Sequence, residues 1–261
     1  MVSGRCAKRR LPLILFFMTR NYDFVAPFYP LLERAAFGDR LTEARLASLR
    51  QVISAERVLL IGEGNGRFLA GCLKEKVGGS ITVVDSSRKM LTLLRTRIRG
   101  IAARTRVELH HADFRQWPSP SPRFDVIVTH FFLDLFRPDS QRQLIEKITG
   151  LAGAGTTWVN AEYRPVIQSS FHRWVDWLQY RFDRLVSGIE ADRHYDSAPL
   201  IAAHGWNIRE ERQFCGGTIF SQLLTAPLSV KPADGHGFCE QAAPSEFALA
   251  GAPSGIRNAH S

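Results

Sequence analysis

Gly62-Glu63-Gly64-Asn65-Gly66 sets three glycines at alternate positions, directly behind the apolar run Arg57-Val58-Leu59-Leu60-Ile61. Lacking a Cβ, glycine lets a backbone turn adopt positive φ and come close to a ligand. Asp85 lies 23 residues beyond Gly62 and ends a second β-branched run, Ile81-Thr82-Val83-Val84. A carboxylate there can accept hydrogen bonds from both hydroxyls of a ribose. Its plainer use is to cap the helix that begins near Ser86 or Ser87. Taken together, turn and acid point to recognition of an adenosine-containing ligand. A dinucleotide fingerprint would want Gly or Ala three residues after its second glycine, and this chain has Arg67 there.

These residues need strands and helices to hold them. Residues 57–61 read as a buried strand, and Phe68, Leu69, Cys72 and Leu73 resume helical spacing. After the strand at 81–84, a helix follows through Met90, Leu91, Leu94 and Ile98. Val107–His111 is a half-exposed third strand and Phe124–His130 a fourth, with the Pro-rich loop 118–122 between them. A helix over 139–150 and a fifth strand, Thr156–Ala161, extend the series. Such alternation implies βαβ crossovers and a parallel sheet covered on both faces. Trp206–Phe214 and Thr218–Thr225, joined across Cys215-Gly216-Gly217, form an antiparallel hairpin at one edge. The expected fold is α/β: Rossmann-like and doubly wound, with a mostly parallel seven-stranded sheet, an antiparallel edge hairpin and N-terminal lid helices.

With that pattern laid out, the chain resembles the class I S-adenosylmethionine-dependent methyltransferases over about residues 57–225. The likeness rests on Val58–Gly66, Ile81–Met90, Glu108–Phe114 and Phe124–Phe136. The phrase Tyr22-Asp23-Phe24-Val25-Ala26-Pro27-Phe28-Tyr29 is similar to small-molecule methyltransferases of the ubiquinone/menaquinone type. The resemblance implies S-adenosylmethionine as cofactor. Gly62, Glu63, Gly64, Asn65 and Gly66 would then pass under its methionine and ribose portions. Asp85 would hold the ribose diol, with Ser86 and Met90 beside the adenosine. Asp113 would accept the adenine amino group, Phe114 would pack on the ring, and His130 would sit near the sulfonium. The plain alternatives are a helix or turn cap for Asp113 and core packing for Phe114 and Met90. The family usually carries an acid two residues before the first glycine, where this chain has Leu60. Glu63, inside the turn, is a partial substitute for it.

Methyl transfer is an in-line displacement that mostly needs alignment and exclusion of water, so no compact catalytic motif is required. His130 and Asp134 are the candidate bases by position. Thr129-His130-Phe131-Phe132-Leu133-Asp134-Leu135-Phe136 lacks the Asn/Asp-Pro-Pro-aromatic motif of enzymes that methylate exocyclic amines of nucleobases. Its phenylalanines suit a small apolar or aromatic acceptor, or else they pack the sheet. Phe171, Trp174, Trp177, Leu178, Phe182 and Leu185 fall mostly on one stripe of a long helix over 165–190. That stripe is core by default, and otherwise an acceptor cover or a dimer contact.

Composition sets the outer bounds. Apolar residues make up 45% and charged residues 23% of the 261, ordinary for a globular chain. The formal charge of +9 permits weak attraction to nucleic acid without demanding it. Cys6, Cys72, Cys215 and Cys239 lie far apart, with neither metal nor redox spacing, and His110-His111 has no third ligand nearby, so no metal is expected. Residues 1–17 are basic then apolar, too short to span a membrane and without a cleavage site, and read as an extension upstream of a start at Met18. Residues 18–54 form the helical lid, 55–226 the cofactor-binding domain, and 227–261 a tail without periodicity that is expected to be disordered. The expected setting is the cytoplasm, the partner a small-molecule acceptor, and the state a monomer or homodimer. An RNA methyltransferase and a non-catalytic S-adenosylmethionine-binding regulatory module are the alternatives.

Overall fold

The structure, a computed structural model, describes residues 40–77, 79–101, 104–118, 123–164, 190–191, 193, 195–214 and 217–227. The extension 1–17, the first part of the lid (18–39), the aromatic stripe of 171–185 and the tail beyond Pro227 lie outside the described residues. Of the lid, the described part holds two short helices, α1 (Arg40–Leu46) and α2 (Arg50–Ile53).

Seven strands build one sheet: β1 (Arg57–Ile61), β2 (Ser80–Asp85), β3 (Arg106–His111), β4 (Phe124–His130), β5 (Ala152–Tyr163), β6 (Asn207–Phe214) and β7 (Ile219–Thr225). Their order is β3-β2-β1-β4-β5-β7-β6. β3, β2, β1, β4 and β5 pair in parallel, and β7 runs antiparallel to both β5 and β6. The expected hairpin is therefore present, with its reversed strand inserted one place in from the edge. The chain winds outward from β1 to β3, then returns to β1's other side as β4. At that reversal the connections diverge and open a crevice above the carboxyl ends of the strands.

Each helix follows from an apolar stripe and a defined start. Gly66, at φ +79°, ends the glycine turn and lets α3 (Arg67–Lys74) begin. That helix buries Phe68, Leu69, Cys72 and Leu73. Ser87 caps α4 (Arg88–Ile98), its hydroxyl accepting from Met90 N at 3.1 Å, and Met90, Leu91, Leu94 and Ile98 face inward. α5 (Pro138–Leu151) starts on a proline, whose missing N–H costs nothing in a first turn. The two faces of β1 serve two cores. Val58 and Leu60 pack with α3 and α4, whereas Leu59 and Ile61 pack with α5, Trp158 and Trp206. A fully buried Leu or Ile of this kind stabilises by about 1.5–3 kcal/mol.

Two elements depart from expectation. β5 starts four residues before Thr156 and ends two after Ala161. Its glycine-rich start reads as a turn, yet Thr156 Oγ1 accepts from Gly153 N at 2.7 Å and donates to Phe124 O at 2.7 Å. This stitch carries the strand through a register shift opposite Phe124 and Val126. The short helix α6 (Ala198–Ala203) leaves no mark in the sequence pattern, because six residues are too few to show a period.

Candidate active site

The glycine turn leaves β1 with Gly62 N donating to Val84 O at 2.9 Å, which extends the β1–β2 ladder by one bond. Gly62, Gly64 and Gly66 all have positive φ, at +64°, +65° and +79°. Their surroundings differ. A Cβ on Gly62 would stand 2.5 Å from Phe132 Cδ2, and one on Gly66 2.8 Å from Leu94 Cγ. A Cβ on Gly64 would meet nothing within 4 Å among the described residues, so this glycine leaves open space on that side of the turn. Packing thus demands the outer two glycines, and the middle one leaves room.

Asp85 is buried at the end of β2, and its two oxygens hold two loops. Oδ2 accepts from Gly64 N and Oδ1 from Ser87 N, each at 2.8 Å. The helix cap is Ser87 rather than Asp85, so the acid fixes the glycine turn against the β2–α4 connection. Ser86 is exposed between them, its carbonyl 3.1 Å from His111 Nε2. Met90 is 4% exposed and forms part of α4's inward face.

Glu63 turns back on its own helix. Its Oε1 accepts from Phe68 N at 2.9 Å and Leu69 N at 3.0 Å, covering amides of α3's first turn. Burial pushes its carboxyl up to about 7, against the pull of the Leu69 amide and of the Arg45 charge. Leu60, where the family usually carries an acid, is 1% exposed within the α3–α4 core. The loop therefore carries its acid on the turn itself. Asn65 is buried with Nδ2 lacking a partner among the described residues, while its carbonyl accepts from Arg97 Nε at 2.8 Å.

Asp113 follows β3, where Ala112 N donates to Asp85 O at 3.1 Å and draws the two acids' loops together. Its oxygens meet Arg115: Oδ1 accepts from Arg115 N at 2.9 Å, and Oδ2 from Nη2 at 2.6 Å. The guanidinium holds the Asp113 carboxyl below the usual range. Arg115 also pairs with Glu190, which sequence reasoning does not single out. Phe114 is buried, stacked on Trp117 at 6.1 Å and edge-on to Phe132 at 6.4 Å. Turn cap and core contact are thus the roles these two residues already fill.

His130 closes β4 with 7% exposure. Its ring stands edge-on to Phe68 at 4.7 Å, and neither nitrogen has a hydrogen-bond partner among the described residues. Burial, helped by the Arg45 charge, pushes its pKa down to about 3. The imidazole is neutral across the physiological range and takes a proton only weakly. Asp134 is buried in the 3-10 turn Leu133–Leu135 just beyond. Its neighbour Glu162, at the end of β5, carries no sequence signal. Burial and the nearby Asp134 charge raise the Glu162 carboxyl well above its ordinary value.

Glycine turn, Asp85, Asp113 and His130 all stand at the carboxyl ends of β1 to β4, beside the switch point. S-adenosylmethionine fits this constellation. Gly64 leaves space over the turn, Asp85 flanks that space, and Asn65 and His130 bring buried nitrogens that no described residue satisfies. Among the described residues no group of three or more His, Cys, Asp or Glu could hold a metal ion.

This strand order, with its reversed β7 and glycine turn after β1, defines the Rossmann-like fold of class I S-adenosylmethionine-dependent methyltransferases. Residues 58–155 match the family described as Methyltransferase domain. Mitomycin 7-O-methyltransferase MmcR is similar in structure, with a TM-score of 0.58 at 18% identity, covering 79% of this chain and 60% of that one. An O-methyltransferase family protein from Burkholderia thailandensis gives 0.54 at 15%, covering 79% and 64%. CalO1, a methyltransferase in calicheamicin biosynthesis in its S-adenosylhomocysteine-bound form, gives 0.53 at 17%, covering 77% and 57%. The chain spans about 60% of the length of MmcR. At these identities the likeness is one of fold. No curated protein sequence matches the chain.

Proposed function

We propose that this protein transfers the methyl group of S-adenosylmethionine to a small acceptor, apolar or aromatic in character, by in-line displacement. The observation that carries the reading is the pairing of Gly64 with Asp85, an open glycine backbone held by a buried carboxylate at the switch point. When bound, the cofactor supplies a sulfonium-activated methyl group. Asp85 would hold the ribose hydroxyls while keeping its bonds from Gly64 and Ser87, since an ionised carboxylate accepts about four hydrogen bonds. Ser86 and Met90 would flank the adenosine, Asp113 would accept from the adenine amino group, and Phe114 would pack against the ring. Gly62, Glu63, Asn65 and Gly66 would line the methionine and ribose side.

His130 would face the sulfonium as a neutral imidazole and orient the acceptor by hydrogen bonding. Its depressed pKa makes it a poor general base, so Asp134 is the better candidate where the acceptor must lose a proton. The phenylalanines at 131 and 136, partly exposed just past His130, support an apolar acceptor. No helix among the described residues is long and apolar enough to cross a membrane. A reduced cytoplasmic setting and a monomer or homodimer complete the proposal.

Titration calorimetry with S-adenosylhomocysteine tests it. Wild-type protein binds in the micromolar range, and Asp85→Ala weakens binding at least tenfold. Absence of heat with wild-type protein refutes the assignment.

A further inference from the structure

The chain just past β4 is held in an unusual way. Phe131 has φ +53°, a left-handed conformation that a bulky residue adopts only when its surroundings enforce it. Its N–H donates to Ala161 O at 2.7 Å, and its ring lies against Tyr163 at 4.9 Å. The next three amides then converge on one side chain. Glu162 Oε1 accepts from Phe132 N at 3.2 Å and Leu133 N at 2.9 Å, and Oε2 from Asp134 N at 3.1 Å. Glu162 is 2% exposed, so these bonds form where water does not compete. The clamp ends on Phe132. That ring fills the space a Cβ on Gly62 would need, and its edge meets Phe114. One side chain thereby abuts both the first glycine of the cofactor turn and the residue after Asp113.

We infer that Glu162 is a positioning residue for the cofactor site: by holding the amides of 132–134 it fixes Phe132 as the buttress behind Gly62 and Phe114. The inference rests on the function proposed above and adds a residue from β5, an element that reading did not use. Gln in place of Glu162 keeps the size but not the chemistry. Its single oxygen cannot serve both sides of the clamp, and its NH2 group meets an amide N–H donor to donor. At least one of three buried amides then lacks an acceptor.

The test combines hydrogen exchange, followed by mass spectrometry, with calorimetry using S-adenosylhomocysteine as the probe. In Glu162→Gln, amides of 132–134 exchange at least tenfold faster than in wild type, and the probe's Kd rises about tenfold. Leu223→Ala on β7, a buried change remote from the turn, lowers stability but leaves both readouts unchanged, which a merely structural role for Glu162 would not separate. Wild-type affinity in Glu162→Gln, or exchange quickened equally throughout the sheet, overturns the inference. If wild-type protein itself binds no probe, the methyltransferase reading falls first and this inference with it, a result distinct from either of those. Should Glu162→Gln not fold, Phe132→Leu tests the same link: the amides of 132–134 keep their protection while the probe binds at least fivefold more weakly. Unchanged affinity in that variant overturns the inference equally.

Discussion

Replacing Gly64 with Ala separates the needs of the fold from the needs of the site. Gly64 has φ +65°, and a Cβ built there has nothing within 4 Å among the described residues. The fold therefore bears only the conformational cost of a left-handed alanine, about 1–2 kcal/mol. For a domain of this size that lowers Tm by roughly 2–8 °C, at about 2–4 °C per kcal/mol. The added methyl points into the space over the turn. Forcing one extra methyl into a filled site costs about 1–3 kcal/mol, which weakens S-adenosylhomocysteine binding about 5- to 150-fold. Gly66→Ala is the internal contrast. Its Cβ would meet Leu94 Cγ at 2.8 Å and Leu94 Cα at 3.1 Å, so overpacking adds to the backbone cost. That variant should lose about 2–5 kcal/mol in urea denaturation. The assays are thermal melts, urea titration and calorimetry on the same preparations. Gly64→Ala binding with wild-type affinity, or Gly66→Ala as stable as Gly64→Ala, would refute the reasoning.

Two further perturbations follow from buried or paired charges. His130 has a folded pKa of about 3, below the unfolded value of about 6.5. The unfolded chain therefore takes the proton first, and stability falls as pH drops below 6.5 by about 1.4 kcal/mol per unit from this group. His130→Phe should flatten the stability curve between pH 6.5 and 5.0 by about 2 kcal/mol relative to wild type, and parallel curves in urea titrations would contradict the assignment. Glu211 is held down to about 2, first by its bond to Arg164, whose Nη1 and Nη2 each donate to it at 2.9 Å. Its contribution is complete above about pH 4.5 and is lost as pH falls toward 2. With solvent screening of this partly exposed pair, Glu211→Gln should cost about 1–2 kcal/mol at pH 6 and nearly nothing at pH 2.5. An equal loss at both pH values would exclude the ion pair as its source.

What the sequence made legible was local. β4 begins and ends at the expected residues, Phe124 and His130, because the unbroken β-branched run Val126–Thr129 needs no knowledge of neighbours. The glycine turn and Asp85 pair on the sequence alone, since strand, turn and helix follow one another in the chain. The cap does not: Ser87 holds α4, which frees Asp85 for the turn, and two adjacent serines give no way to tell which residue caps. The Arg115–Glu190 pair spans 75 residues, and the Glu162 clamp reaches back 28 to 30. Neither distance leaves a periodic trace. Glu63 shows the limit most plainly, because its place in the loop gives no sign that its oxygen accepts from the first-turn amides of α3. The start of β5 is hidden by its glycines, which only the Thr156 stitch makes extended.

The direction of β7 divides the molecule's two rims between different parts of the chain. Thr225 lies opposite Thr157 and Asn207, at the amino ends of the parallel strands, so the described residues end at Pro227 on the rim remote from the crevice. The stretch after Arg164 instead leaves at the carboxyl end of β5, and it returns where Glu190 N donates to Leu135 O. A change at Arg164 or Glu190 thus bears on the crevice side of the sheet, whereas one at Pro227 bears on the opposite rim.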